Sequence, residues 1–145
     1  MLIDKLQPLT AARLAVIKLS ATVQTAAVSF ARPGVGLIVV CNDSGSAEGV
    51  LSKSDLIRHL SFPVPSAPPV SKVMSRSIVA CSPQDDVHMV WQIMTERNLQ
   101  NIPVVDGATK PLGILDIRDA MKALFEQEEM HERMLFNYVT GVGYR

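Results

Sequence analysis

The feature that most constrains this chain is an internal echo. Residues 49–57 read GVLSKSDLI and residues 113–121 read GILDIRDAM, so a glycine, a short hydrophobic run and an aspartate recur. The offset is constant, since 113 − 49 and 119 − 55 are both 64. In a chain of 145 residues this leaves room for two copies of one supersecondary unit, each burying its apolar face against the other. The same offset links Val23, Ala26, Ala27 and Phe30 with Val87, Val90, Trp91 and Met94, both sets at helical spacing.

Each unit reads strand, helix, strand, strand, helix. In the first, residues 14–19 (LAVIKL) are short and β-branched, as a strand requires. Ser20 and Thr22 can cap a helix over residues 23–30, and Arg32-Pro33-Gly34 stops it. Residues 37–41 (LIVVC) form a buried strand, Asn42 to Gly45 supplies turn chemistry, residues 49–51 return, and Ser52 to Asp55 opens a helix over residues 56–60. In the second unit, residues 77–81 are the expected first strand, and Pro83 and Asp85 start a helix over residues 87–96. Residues 102–105 and 112–115 are the paired strands, and residues 116–125 the last helix. Matching Val40 with Val105 raises the offset to 65 there, which calls for one compensating pair of length changes.

These readings divide the chain into a first unit with its N-terminal segment (1–60), a linker (61–72), a second unit (73–125) and a tail (126–145). The linker includes residues 61–69, which hold four of the nine prolines. In the tail Met130, Met134 and Tyr138, and Leu135 and Val139, recur at i, i+4, so the helix is expected to run on until Gly141 and Gly143 end it. A cap over the core, a dimer seam and a docking helix for a partner all fit that pattern.

Composition excludes several classes. A 48% hydrophobic content is ample for a packed core, and the formal net charge of +0 without a Lys/Arg block argues against a nucleic-acid or anionic-membrane partner. The longest apolar run, residues 35–41, is far short of the roughly 20 residues that span a bilayer. The first 16 residues lack the pattern of a secretory signal, so a cytoplasmic location is expected. Cys41 and Cys81 sit among apolar neighbours without a CxxC motif, and are expected as buried, inert thiols. His59, His88 and His131 lack metal-ligand spacing, and no His or Cys lies in a base or nucleophile pattern, so neither a metal site nor catalysis is expected.

Two such units in tandem, together with NIPVVD at residues 101–106 and VMSRSIVACSPQDDV at residues 73–87, resemble the CBS domain pair, or Bateman module, over residues 14–125. The resemblance implies an α+β fold with pseudo-two-fold symmetry, the sheets packed together, the helices outside, and two clefts. Such clefts commonly hold adenosine-containing ligands such as AMP, ADP, ATP or S-adenosylmethionine. The resemblance also implies residue roles: an aspartate for the ribose diol and a Ser/Thr three residues earlier for phosphate, here Ser52 with Asp55, and Asp119. Adenine would be walled by Ile17, Val79, Ile102 and Pro103. A homodimer through the unit helices is implied too, in keeping with Met89 and Ile93 beside the apolar stripe of residues 87–96, and an output in trans to an effector protein.

The chemistry of these residues agrees. A vicinal diol offers two donors to one carboxylate, and such charge-assisted bonds are strong. A helix opening at Asp55, with Lys53 and Ser54 beside it, directs free N–H groups and its positive dipole end toward a phosphate. In the second unit Asp116 stands in the Ser/Thr place, so a phosphate would meet a carboxylate that only Arg118 can offset. An uncharged adenosine end, a cationic ligand or an empty cleft suits that position better. A purely structural reading stands beside this one. Ser52-x-x-Asp55 is also a capping box and Asp116 an N-cap, worth about 1 kcal/mol each, and Asp119 in a first turn gains from the helix dipole. Trp91, Met89, Met94 and Met121 are expected as core filling, and Gly34 and Gly36 as a helix stop and loop. The functional alternatives are thus a ligand-sensing module and an assembly module with vestigial clefts.

Overall fold

The computed structural model describes residues 1–61 and 68–140. Residues 62–67 of the proline-rich linker, and Gly141 and Gly143, lie outside the described residues. A 3₁₀ turn, Ile3–Leu6, leads into α1 (Gln7–Ala12), with Pro8 in its first turn where its missing N–H does no harm. The first unit then runs β1 (Val16–Lys18), α2 (Val23–Phe30), β2 (Leu37–Cys41), β3 (Ala47–Ser52) and α3 (Lys53–Leu60). After a second 3₁₀ turn, Val70–Lys72, the second unit runs α4 (Val87–Glu96), β4 (Asn101–Val105), β5 (Pro111–Asp116) and α5 (Ile117–Thr140). Thr22 caps α2 by accepting from the Thr25 N–H at 3.1 Å, and Asp86, not Asp85, caps α4 by accepting from the Met89 N–H at 3.1 Å. Both caps sit one residue before the apolar stripe they start.

The ladders fix the repeat more closely than the residues alone. β2 pairs β3 with Leu37 opposite Ser52 and Val40 opposite Gly49; β4 pairs β5 with Asn101 opposite Asp116 and Val104 opposite Gly113. Even the bulges coincide, between Val40 and Cys41 and between Val104 and Val105. One offset of 64 therefore runs through both units without a length change. Val40 is equivalent to Val104, and the expected match to Val105 is corrected. The twin valines at 39–40 and 104–105 invite a one-residue slip that only register and facing resolve.

The expected strand at residues 77–81 is also corrected. It narrows to a single parallel bridge at Cys81, whose N–H donates to the Pro103 carbonyl (3.0 Å) and whose carbonyl accepts from the Val105 N–H (2.8 Å). The next ladder bond back would run from residue 103 to the Val79 carbonyl, and proline has no N–H to give. In the first unit the equivalent Val39 N–H donates to the Ala15 carbonyl at 2.9 Å, and β1 forms a three-stranded sheet in the order β1-β2-β3.

β2 is buried along its whole length because both its faces are used. Ile38 and Val40 pack with Ala26, Phe30, Leu51 and Leu56 in the first core, while Leu37, Val39 and Cys41 meet Ile114 of β5 where the units join. Each core is then completed from elsewhere in the chain. Ile3 and Leu6 enter the second core beside Val87, Met94 and Leu115, and Val70 and Met74 enter the first. Backbone bonds lock both crossings: Ile3 N–H to the Asp85 carbonyl at 2.9 Å, and Val70 N–H to the Ala21 carbonyl at 2.8 Å. Burying a side chain of this size contributes about 1.5–3 kcal/mol. The crossing chains explain the repeated glycines. A Cβ on Gly49 would stand 2.7 Å from the Ser75 carbonyl oxygen, and one on Gly113 2.7 Å from that of Thr10.

Met94 fills the second core as expected, but Met89 and Met121 are exposed on the outer face of α4 and α5, and Trp91 is half-buried beside His88. Met89 and Met121 lie on the sides of the helices turned away from Val87, Val90, Ala120 and Ala123, while Trp91 packs against the edge of that core. α5 is buried through Ala120 and Ala123, and beyond Phe125 its apolar side chains are exposed.

Candidate functional site

Where the units meet, a cavity of about 1020 Å³ opens between two helix starts. Its walls are residues 34–37 after α2, the first turn of α3, the extended stretch through Ser75, Ser77 and Val79, residues 98–103 after α4, and the start of α5. Nine of the eleven residues singled out in the sequence line it: Ser52, Lys53, Ser54, Asp55, Val79, Ile102, Pro103, Asp116 and Arg118. Ile17 and Asp119 do not. The alternation of β1 exposes Val16 and Lys18 and sends Ile17 into the first core, and Asp119 is held by Arg13.

At the first helix start the capping box is formed. The Asp55 N–H donates to Ser52 Oγ (3.1 Å), and the Ser52 N–H donates to Asp55 Oδ2 (3.0 Å). Cap and ligand contact are compatible, because Ser52 Oγ still has its own proton to donate and Asp55 Oδ1 meets only Arg58, at 3.5 Å. Lys53 and Arg58 against Asp55 give this end one net positive charge, which suits an anionic group.

The second helix start is electrically closed. Asp116 is 3% exposed and accepts from the Arg118 N–H (2.8 Å), Nε (3.0 Å) and Nη2 (2.7 Å), with Arg13 Nη1 at 3.6 Å. Burial alone would push its carboxyl up, but the side-chain and backbone hydrogen bonds from Arg118 outweigh that and hold it below the usual carboxylate range. Arg13 donates from Nε to Asp119 Oδ2 (2.6 Å), from Nη2 to Oδ1 (3.3 Å) and from Nη1 to the Gly34 carbonyl (3.1 Å). Its pKa is raised, chiefly by the bond to Asp119. Two guanidinium groups thus face two carboxylates, and their formal charges cancel.

The polar lining residues Ser75, Ser77, Asn98, Gln100 and Asn101 escaped the sequence reading. One signal was available. Asn98, at φ 55°, lies 64 residues after Gly34, at φ 84°, so applying the offset to the helix stop finds it. Elsewhere, Cys41 and Cys81 are both buried and unpaired, and burial pushes the Cys81 thiol up to about 12. Among the described residues no cluster of metal-ligating side chains occurs, and no helix is long and apolar enough to cross a membrane.

Comparison with known proteins agrees with this architecture. The sequence model of the CBS domain matches residues 9–62 and 70–126. The arabinose 5-phosphate isomerase GutQ of Escherichia coli O6:H1 is 29% identical over 107 residues, which are 74% of this chain and 33% of that protein. The chain therefore spans about a third of the length of this curated relative. The CBS domain pair of protein MJ0100, solved with 5-methylthioadenosine and S-adenosyl-L-methionine, superposes with a TM-score of 0.74 at 17% identity, covering 88% of this chain and 98% of that one. A CBS domain protein of Pyrobaculum aerophilum, solved with AMP, superposes with a TM-score of 0.72 at 22% identity, covering 82% and 89%. At these identities the likeness is one of fold.

Proposed function

The chain belongs to the CBS domain family, and from that premise we propose that it is a regulatory module that senses an adenosyl compound. AMP, ADP, ATP or S-adenosylmethionine binds the cavity at the start of α3, and occupancy is relayed to a separate effector protein. One observation carries this reading: Ser52, Lys53, Ser54 and Asp55 share a single cavity of about 1020 Å³ with the apolar wall of Val79, Ile102 and Pro103. That is the size of a nucleotide site, with a few polar groups converging on an apolar surface. In this reading Asp55 Oδ1 accepts from the ribose diol, Ser52 Oγ, Lys53 and the first N–H groups of α3 receive a phosphate, and the apolar wall takes the base. Arg118, 77% exposed at the far end and steadied by Asp116, offers a remaining N–H to the ligand's tail. The ligands held by proteins of the same fold support the adenosyl class.

The exposed Met89, Ile93, Met121 and Phe125 on α4 and α5 suit a second copy of the chain, and a cytoplasmic homodimer is part of the proposal. A second reading, an assembly module with vestigial clefts, draws on the capping box at Ser52, which stabilises α3 with or without a ligand. Calorimetric titration with AMP, ADP, ATP and S-adenosylmethionine separates the two. The sensor reading expects binding by wild type and its loss in Asp55→Ala. A folded wild type that binds none of them gives way to the assembly reading.

A further inference from the structure

Arg13 and Ser77 are equivalent positions, 64 residues apart, on the two segments that cross between the units. The partners of Arg13 have counterparts at the same offset: Asp119, Asp116 and Gly34 answer to Asp55, Ser52 and Asn98, which share one cavity lining with Ser77. Ser77, Asp55, Ser52 and Asn98 all line the cavity, whereas Arg13 and Asp119 do not. At one aspartate a short hydroxyl side chain leaves open volume. At the other a guanidinium fills it.

We infer that Arg13 is an internal occupant of the second cleft, taking the carboxylate that a ribose diol would need and limiting the chain to one adenosyl ligand, bound at Asp55. This rests on the sensor reading above and gives it a stoichiometry. The pair is built to stay shut. Arg13 makes two charge-assisted bonds to Asp119, with side chains 21% and 14% exposed, so solvent and salt screen them weakly. A third bond, to the Gly34 carbonyl, ties the guanidinium to the loop that walls the open cavity. A ribose entering here would have to displace this cation and leave it without its carboxylate. Once Arg13 is gone, Asp116 still faces the tail of any ligand, so an opened second cleft takes an adenosyl compound with an uncharged tail in preference to a phosphate.

The test is calorimetry with two probes, AMP and 5′-methylthioadenosine, on the full chain, with folding checked by circular dichroism. Wild type is expected to bind one equivalent, to lose it in Asp55→Asn, and to keep it within about twofold in Asp119→Asn. Arg13→Ser, which copies Ser77, is expected to gain a second equivalent of 5′-methylthioadenosine that Arg13→Ser/Asp119→Asn lacks. Arg13→Gln, which keeps the stem, serves if the serine variant does not fold. Two equivalents on wild type with one lost in Asp119→Asn would overturn the inference, as would folded Arg13 variants that gain nothing. If neither Arg13 variant folds, the Asp119→Asn titration decides alone. If wild type binds neither probe, nor ADP, ATP or S-adenosylmethionine, the sensor reading falls. The closure by Arg13 then stands only if Arg13→Ser binds one equivalent that Asp119→Asn removes, and falls otherwise.

Discussion

Gly113 lies directly beneath Thr10, so close that a Cβ on the glycine would stand 2.7 Å from both the carbonyl carbon and the carbonyl oxygen of Thr10. The obstacle is backbone, which cannot rotate away as a side chain can. Gly113→Ala is therefore expected to destabilise the fold by about 1–3 kcal/mol, the range for overpacking a filled interior. Gly107→Ala, with nothing within 4 Å of its Cβ, should be close to neutral. Urea midpoints of the two variants check this.

Ile3 is 1% exposed and sits in the core of the second unit, although it precedes the first. Ile3→Ala should cost about 2–5 kcal/mol. Because Val70 and Met74 cross the other way, the two units should unfold together. Urea transitions followed by Trp91 fluorescence, which reports the second unit, and by far-ultraviolet circular dichroism, which reports both, are expected to coincide. Separate transitions would refute the coupling.

Ser52→Ala removes the acceptor for the Asp55 N–H and should lower stability by about 1 kcal/mol. In the proposed site it also removes a phosphate donor, so AMP affinity should fall by more than that of 5′-methylthioadenosine. Ser52→Thr keeps the hydroxyl and should restore both. Denaturation and calorimetry on the same samples separate the effect on the helix from the effect on the ligand.

Asp116 titrates below its ordinary value in the folded chain, because the bonds from Arg118 outweigh the effect of burial. A folded pKa below the unfolded value of about 3.9 stabilises the fold fully above that pH and is lost as pH falls through the folded value. Asp86, depressed by the Met89 N–H and the N-terminal ammonium, acts in the same direction. Urea midpoints between pH 6 and pH 2.5 should therefore fall with acid, less steeply in Asp116→Asn and in Asp86→Asn. A slope unchanged in both variants would contradict the assignment.

With its thiol pushed up to about 12 by burial, Cys81 should resist a disulfide reagent at pH 8 in the folded protein, as should Cys41, which is raised for the same reason. Both should react at once in urea. Reaction of either in the folded state would mean that the segment around it opens locally.

The parts of the fold that could be read from the sequence are those set by local chemistry. Thr22 and its stripe, the turn at Asn42, and the glycine-to-aspartate motif each carry their cause within a few residues. Whatever depends on a distant partner was hidden. The Arg13–Asp119 pair joins residues 106 apart, and no motif announces it. Ile3 and Leu6 look like ordinary helix-flanking residues until the second core is seen to need them. The missing strand at residues 77–81 was legible in principle, since Pro103 stands in the strand that would have paired with it. The cavity lining was legible at Ser52 to Asp55, where the repeat carried it, and not at residues 98–100, which come from a loop; Asp119, which the repeat also carried, is held by Arg13 instead.

The crossing of residues 3–6 and 70–74 has a consequence for half of the chain taken alone. A polypeptide of residues 68–126 would own a core with no cover and a covering segment with no core of its own to fill. Two copies satisfy both needs by domain swapping, each lending its leading segment to the other across a two-fold axis. Such a fragment should therefore be an obligate dimer on a sizing column, and the full chain can be regarded as that dimer made covalent, with the freedom to let its two halves diverge.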